Sequence, residues 1–278
     1  MVYESTGAEA LRKENVDAVI KGIALGKTVL SQIMTIERSS SWMESYYRES
    51  SVDLVGVTNI PRLADFPESS PIFEKQSAWM SKAGLQSTVA WEDAISNNIP
   101  VIARTQFRIG HNIAQMRDAA IWSAIRSAVN NSVAITAGLE WDTATRADRH
   151  PQDAILAAAE AIEQDNYTAD TLVVNPYEKR YLLGNDDIMD AFSPSDNVMK
   201  NGLIGRIEGL NILVSTVVPQ DSALVVASRA IGTYRILEDM KTVVKVEEGI
   251  KHTIRGWEIG VAFCTDPNAG CIITNTKA

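Results

Sequence analysis

The chain has 278 residues, a formal net charge of −9, and apolar and charged fractions of 45% and 22%. This length allows one large domain or two small ones with a substantial core, and the composition excludes a disordered or collagen-like chain. The negative charge argues against a protein whose main task is to bind nucleic acid phosphates, because such proteins concentrate Lys and Arg.

Several other signatures are missing from the sequence. No apolar run reaches the roughly 18 residues of a membrane span, so none is expected. The N-terminus carries acids and no apolar h-region, so we expect synthesis in the cytoplasm. The two cysteines, Cys264 and Cys271, are too few for a thiolate zinc site. We expect both cysteines to be small buried apolar residues on the two strands of a hairpin. A disulfide between them is the alternative.

In chain order, residues 1–48 are predicted to be an arm that contains a helix, because Leu11, Val16 and Ile20 recur near helical spacing. Prolines in residues 49–75 indicate an extended connector. Residues 76–109 are predicted to form two strands joined by a turn. In the second strand, over residues 101–109, polar and apolar side chains alternate with the period of a half-buried strand.

Residues 111–131 are predicted to form the strongest helix, a spine about 30 Å long at 1.5 Å per residue. A second helix over residues 151–165 begins at Pro151, which suits a first helical turn. A buried strand at residues 171–175 and a third helix at residues 177–183 follow. Apolar runs then predict strands over 210–217, 224–227, 242–247, 253–264 and 271–274.

Strands and helices mix without a βαβ rhythm, so the predicted fold class is α+β. The patterns assign no catalytic, cofactor-binding or metal residue. Residues 22–28 resemble a phosphate loop, but three residues separate the glycines where four are needed, and the flanks are helical. Glu248 and His252 are four residues apart at a predicted turn and strand, which disfavours a metal pair. We therefore expect a protein that is not an enzyme.

Four residues are candidates for a subunit interface: Trp79, Trp91, Arg104 and Arg108. The two tryptophans fall in the predicted hairpin, which has little core of its own, and aromatic side chains on such an arm favour docking on a partner chain. Packing within the hairpin is the alternative. The two arginines lie on the polar face of the predicted strand. Trp122 and Trp257 lie on core-like patterns and are expected to be packing residues.

The order of arm, hairpin, spine helix, helical insert and long strands resembles the Hong Kong 97-type major capsid proteins of tailed phages and their archaeal relatives. Residues 150–166 resemble the helix that opens the axial domain of this family, and residues 168–176 (TADTLVVNP) resemble its strand that ends in Asn-Pro. Residues 209–216 (GLNILVST) resemble a stretch that reads Gly-x-Pro-Val in most relatives, with Asn211 in the place of the proline. Three further stretches resemble the closing strands: residues 223–228, 234–248 and 256–262.

The resemblance implies a Hong Kong 97-like fold and a division of the chain. The implied parts are an N-terminal arm at residues 1–48, an extended loop region at 49–109, a peripheral domain with the spine helix at 110–135 and 230–278, and an axial domain at 136–229. Lys75 and Lys82 lie where some relatives carry a crosslinking lysine, but no motif assigns a crosslink here. The start at Met1 and the size of the chain favour a separate scaffolding protein or none.

The implied function is that of a major capsid protein. Many copies would assemble through hexamers and pentamers into the icosahedral shell around the double-stranded DNA of a tailed virus. Scaffolding, portal or decoration proteins are implied partners, the DNA is enclosed without sequence-specific binding, and no membrane takes part. The protein would be built in the host cytoplasm and reside in the virion. The alternatives are an encapsulin-type nanocompartment shell and, less favoured, a soluble α+β enzyme.

Overall fold

The computed structural model describes residues 11, 13–50, 58–62, 64–66, 68, 72–96, 99–143, 149–185 and 206–278. The first half contains α1 (Lys13–Lys27), a 3₁₀ helix (Leu30–Gln32), β1 (Thr35–Arg38), β2 (Met43–Ser50), β3 (Ile72–Trp79), β4 (Ser81–Ala90), α2 (Trp91–Ile95) and α3 (Ile99–Ala128). The second half contains β5 (Asn131–Ala134), α4 (Pro151–Gln164), β6 (Thr171–Val174), α5 (Pro176–Leu183), β7 (Arg206–Ile207), β8 (Leu210–Val214), β9 (Ser222–Val226), β10 (Gly232–Glu247), β11 (Lys251–Cys264), a 3₁₀ helix (Pro267–Ala269) and β12 (Gly270–Thr274).

The first sheet has the strand order β1-β10-β11-β4, and helices α1 and α3 pack against it. Its core joins α1, α3 and the sheet through Val16, Ile20, Ile109, Ile113 and Ile254, none of them more than 1% exposed. Gly110 allows the two helices to approach, because a Cβ atom there would lie 2.9 Å from the carbonyl oxygen of Ile20. Burial of this apolar surface is the main force that holds the helices on the sheet.

The second sheet has the strand order β5-β12-β9-β6-β8-β7 and a separate core. All four residues of β6 are buried, as expected for a central strand covered on both faces. Ile155 and Ile162 of α4 pack into this core, and so do Ile121 and Ile125 from the end of α3. The spine helix α3 therefore runs from one core to the other, which explains its length of 30 residues.

Two sequence predictions in the first half are wrong. Residues 101–109 form the start of α3 and not a strand, since Ile102, Gln106, Ile109 and Ile113 are buried at helical spacing. Pro100 occupies the first turn of this helix, where its missing N–H costs no hydrogen bond. The predicted hairpin is therefore wrong as well: the region before residues 96–98 contains the end of β3 and all of β4, and these strands pair with β2 and β11 respectively.

Later predictions agree better with the structure. The helices α4 and α5 and the strands β6, β8, β9 and β12 lie where the patterns place them. The predicted hairpin between Cys264 and Cys271 is wrong, because β11 and β12 belong to different sheets. Residues 13–38 of the predicted arm pack on the chain's own spine helix and on β10, so they belong to the subunit's own core.

Candidate assembly surfaces

The strands β2 and β3 form a two-stranded ribbon that carries large exposed hydrophobic side chains. Met43 pairs with Trp79 at its base, and Ser50 pairs with Ile72 seven residues further along β2. The exposed side chains are Trp42 (57%), Met43 (44%), Tyr47 (62%), Phe73 (53%) and Trp79 (69%). A two-stranded ribbon has marginal stability in water, and exposed apolar patches of this kind mark interaction sites.

The ribbon is fastened to the body of the subunit along β2, from its base as far as Arg48. The ring of Tyr46 stacks on Phe263 of β11 at a centroid distance of 4.3 Å. Arg48 donates a hydrogen bond from Nη2 to the carbonyl oxygen of Ala128 at 2.7 Å, at the C-terminal end of the spine helix. The amide of Met80 donates to the carbonyl oxygen of Trp42 at 2.9 Å. These contacts fix the direction in which the ribbon leaves the subunit.

An ion-pair cluster around Arg235 reinforces the same base. Arg235 donates from Nε to Glu37 Oε2 at 3.0 Å and from Nη1 to Glu44 Oε2 at 2.5 Å. Ser39 donates a further hydrogen bond to Glu44. The bonds from Ser39 and Arg235 lower the pKa of Glu44, so this carboxylate is charged at neutral pH.

The four predicted interface residues lie on three elements. Trp79 ends β3 and is exposed. Arg104 and Arg108 lie one helical turn apart on α3, both exposed, although on a helix and not on the predicted strand. Trp91 begins α2 and is half-buried, with its ring stacked on His252 of β11 at 5.2 Å. Trp91 therefore packs within its own subunit on at least one face.

Sequence reasoning missed the ribbon's other aromatic residues. Residues 42–48 were assigned to the arm, although the pair Tyr46–Tyr47 next to Trp42 has the β-propensity of a strand. In β2, the inward Tyr46 and the exposed Tyr47 point to opposite faces, as neighbouring strand residues do. The cluster of aromatic residues at positions 42, 46 and 47 was the signal that could have revealed the strand.

A buried polar cluster connects the spine helix to β11. Arg117 donates from Nε to Glu258 Oε1 at 2.9 Å and from Nη2 to Oε2 of the same carboxylate. Tyr234 donates its hydroxyl to Glu258 Oε1 at 2.7 Å. Burial and the neighbouring Glu258 charge raise the pKa of Tyr234, so its hydroxyl stays protonated and able to donate.

Asp118, the next residue of α3, holds the segment that follows α1. Its carboxylate accepts hydrogen bonds from the amides of Val29 at 2.9 Å and Leu30 at 3.2 Å. Burial raises the pKa of Asp118, while the two amides oppose that shift. The spine helix thus fixes both the N-terminal segment and β11 through consecutive side chains.

The described residues offer little for catalysis or metal binding. They contain no group of three or more His, Cys, Asp and Glu residues placed to hold a metal ion. Residues 22–27 of the phosphate-loop-like segment lie inside α1. Cys264 and Cys271 are free and buried, and burial raises their pKa values to about 12 and about 11. Among the residues that the structure describes, no helix is long and apolar enough to cross a membrane.

Several solved structures of capsids and phage or virus-like particles are similar to this chain over most of its length. A virus-like particle from Pyrococcus furiosus matches with a TM-score of 0.66 at 11% identity, over 94% of this chain and 98% of that chain. The capsid of Cyanophage P-SCSP1u matches with a TM-score of 0.66 at 16% identity, over 89% of this chain and 88% of that chain. Mycobacterium phage Ogopogo matches with a TM-score of 0.67 at 14% identity, over 89% and 92%.

These matches define the fold as the Hong Kong 97-like capsid fold and confirm the resemblance drawn from the sequence. A family model described as phage capsid protein matches residues 80–273, which is more than half of the chain. The chain belongs to this phage capsid family, and its role is that of a capsid shell protein. A search of curated proteins finds no match.

Proposed function

We propose that this chain is the major capsid protein of a tailed virus, which assembles through hexamers and pentamers into the icosahedral shell around double-stranded DNA. The observation that carries the proposal is the β2–β3 ribbon, which has exposed aromatic side chains along its length and is fastened to its own subunit through β2. Such a ribbon gains its missing burial from neighbouring copies. A surface that meets a different surface on the next copy generates closed rings when the rotation closes.

The proposal divides the chain into an arm, an extended loop, a peripheral domain and an axial domain. The two separate cores support the last two, with the four-stranded sheet in the peripheral domain and the six-stranded sheet in the axial domain. The proposed axial domain then includes β5 and β12, which the division by sequence assigned to the peripheral domain. The β2–β3 ribbon is the extended loop. Trp79, Arg104 and Arg108 are exposed and remain proposed interface residues, and Trp91 does so through the face that His252 leaves open.

The remaining parts of the proposal concern content, partners and location. A net charge of −9 suits a container wall that must not bind packed DNA tightly. Scaffolding, portal or decoration proteins complete the particle, which is built in the host cytoplasm. The protein has no enzymatic role in this proposal.

A second candidate is an encapsulin-type nanocompartment shell, which encloses a protein cargo. The match to a virus-like particle over nearly the full length of both chains favours keeping this candidate. Electron microscopy of particles from the source cells separates the two. Packaged double-stranded DNA and one portal vertex support the virus, whereas DNA-free shells filled with a single enzyme support the nanocompartment.

Sedimentation and electron microscopy of the purified protein test the shared part of both candidates. We expect closed shells from the natural chain. Replacing residues 51–71 by Asn-Gly, a two-residue hairpin turn, keeps the pairing of Ser50 with Ile72 and removes the connection between β2 and β3. This variant should fold, with unchanged circular dichroism of both sheets, and should form no shells.

Point variants sharpen this experiment. Tyr47→Ser with Trp79→Ser removes two exposed ribbon side chains, and Leu156→Ser on α4, where Leu156 is 47% exposed, serves as the control. The ribbon variant should lose assembly and the control should retain it. A natural chain that stays monomeric or dimeric at every concentration contradicts the proposal.

A further inference from the structure

A basic pocket lies on the face of the four-stranded sheet that the helices leave uncovered. It has a volume of about 340 Å³ and is lined by Lys82, Gly84, Leu85, Gln86, Arg255, Gly256 and Trp257. Gly84 and Trp257 are cross-strand partners, as are Gln86 and Arg255. Two cations and no carboxylate line the pocket, in a chain whose net charge is −9. Such a local reversal of sign favours an acidic occupant.

The pocket has a glycine floor that larger residues cannot replace. A Cβ atom on Gly84 would lie 2.8 Å from the carbonyl oxygen of Gly256 and 2.8 Å from the Cβ of Trp257. Lys82 and Gln86 flank Gly84 two residues away on either side, about 13 Å apart along the strand at 3.3 Å per residue. Because side chains two apart share a face, the gap at Gly84 separates Lys82 from the Gln86–Arg255 pair.

Both cations are held in position by neutral partners. Arg255 donates from Nε and Nη2 to Gln86 Oε1, at 3.3 and 3.1 Å. Lys82 lies 5.1 Å above the ring of Trp257. The nearby Glu238 does not line the pocket, since its carboxylate already accepts from Trp257 Nε1 at 2.8 Å and from Lys241 at 2.7 Å. The positive charges therefore face the pocket without a carboxylate among its lining residues.

The chain also exposes an acidic and aromatic group of matching chemistry. Asp65 and Glu68 are exposed, and Phe66 between them is 80% exposed. They belong to the connection between β2 and β3, beyond the Ser50–Ile72 end of the ribbon, where the amide of Ala64 bonds the carbonyl oxygen of Pro61 at 3.0 Å.

We propose that the pocket between Lys82 and Arg255 receives Asp65, Phe66 and Glu68 from a second copy of this chain. The carboxylates lie against Lys82 and Arg255, and the Phe66 ring packs against the indole of Trp257, which faces the pocket. This inference rests on the proposed function, because it names the partner surface of the ribbon. Each copy offers one pocket and one acidic group, so the contact runs head to tail and can close into rings.

A charge-reversal series tests the pairing. Lys82→Glu with Arg255→Glu should raise the protein concentration needed for shell formation about tenfold, because like charges then face each other. Adding Asp65→Lys and Glu68→Lys to the same chain should restore assembly to near the natural concentration. Lys245→Glu is the matched control, since Lys245 lies on β10 outside the pocket with Glu247 at 3.7 Å, and it should have little effect. Circular dichroism verifies that each variant folds.

Engineered cysteines provide a second readout that does not depend on stability. Gln86→Cys places a thiol in the pocket, and Glu68→Cys places one on the ribbon connection, while the natural Cys264 and Cys271 are buried. Under oxidising conditions, an equimolar mixture of the two single variants should give a covalent dimer that neither variant gives alone.

The outcomes separate this inference from the proposed function. If the natural chain forms shells while both charge variants assemble normally and no crosslink appears, the pocket assignment is overturned and the shell function stands. If the natural chain forms no shells at all, both fail. The pairing is established if the variant with all four charge reversals assembles again and the mixture of the two cysteine variants gives the covalent dimer.

Discussion

Arg117 of the spine helix binds Glu258 of β11 with two parallel hydrogen bonds, and the two side chains are only 7% and 2% exposed. The pair lies between the two cores, since Ile113 belongs to the first core and Ile121 to the second. A buried ion pair is costly to break from one side, because the remaining charge has lost both water and its partner. This pair therefore fixes the register of the spine helix on the long strands.

We expect Arg117→Met and Glu258→Gln each to lower the free energy of unfolding by about 3–5 kcal/mol. The double variant should cost less than the sum by more than about 1 kcal/mol, because it leaves no unpaired charge. Denaturant unfolding of unassembled subunits measures the four proteins of this double-mutant cycle: the natural chain, the two single variants and the double variant. Strictly additive losses would show that the two side chains do not act as a pair.

The sequence predicted the region around the six-stranded sheet well and the β2–β3 ribbon poorly. Residues 171–183 form a compact unit in which Asn175 accepts a hydrogen bond from the amide of Tyr177 at 3.0 Å and Pro176 starts α5. The signals for such a unit are local: an apolar run, a capping residue and a proline. Residues 150–166 were equally clear, since their apolar spacing matches the buried Ile155, Ala158 and Ile162 of α4.

The errors came from features that a short stretch of sequence does not reveal. Residues 101–109 alternate like a strand, yet they continue into a helix whose buried face appears only when residues 99–128 are taken together. The partner of β3 is β2, across a connection of more than twenty residues, and turn chemistry alone does not specify such a pairing. The pocket at Gly84 was also hidden, because its members come from strands more than 160 residues apart in sequence.

Two glycines should respond oppositely to alanine. Gly260 of β11 has no room, because a Cβ atom there would lie 2.7 Å from the Tyr234 hydroxyl and 2.9 Å from the carbonyl oxygen of Arg235. Gly260→Ala should lower the free energy of unfolding by about 1–3 kcal/mol. Gly22 of α1 has nothing within 4 Å of a Cβ position, so Gly22→Ala should raise stability by about 0.5–1 kcal/mol. Thermal unfolding of the two variants compares them directly.

The two cysteines should be unreactive in the folded subunit. Both are buried, and their raised pKa values leave almost no thiolate at neutral pH. A thiol reagent should label neither cysteine in the native protein and both after denaturation without reductant. Loss of both thiols in the denatured, unreduced sample would instead reveal a disulfide, which the separate sheets of Cys264 and Cys271 disfavour.

Glu178 should contribute more to the stability of the subunit in mild acid than at high pH. This residue of α5 is 1% exposed, and Oε1 accepts from the amide of Asp221 at 2.8 Å and from Thr276 Oγ1 at 3.4 Å. Among the described residues, Oε2 has no hydrogen-bond partner. Burial, with a smaller contribution from the Asp221 charge, raises the pKa of Glu178 above its ordinary value of 4.5.

The sign of the pH effect follows from that direction. A carboxyl whose pKa is higher in the folded state than in the unfolded state favours folding while it is protonated, and this contribution is lost as the pH rises through the folded pKa. Glu178→Gln keeps an oxygen for the Asp221 amide and never becomes charged. The stability of this variant relative to the natural chain should therefore increase between about pH 4 and about pH 8. Denaturant unfolding of both proteins at the two pH values measures the difference, and a difference that does not change with pH would show that Glu178 carries no such penalty.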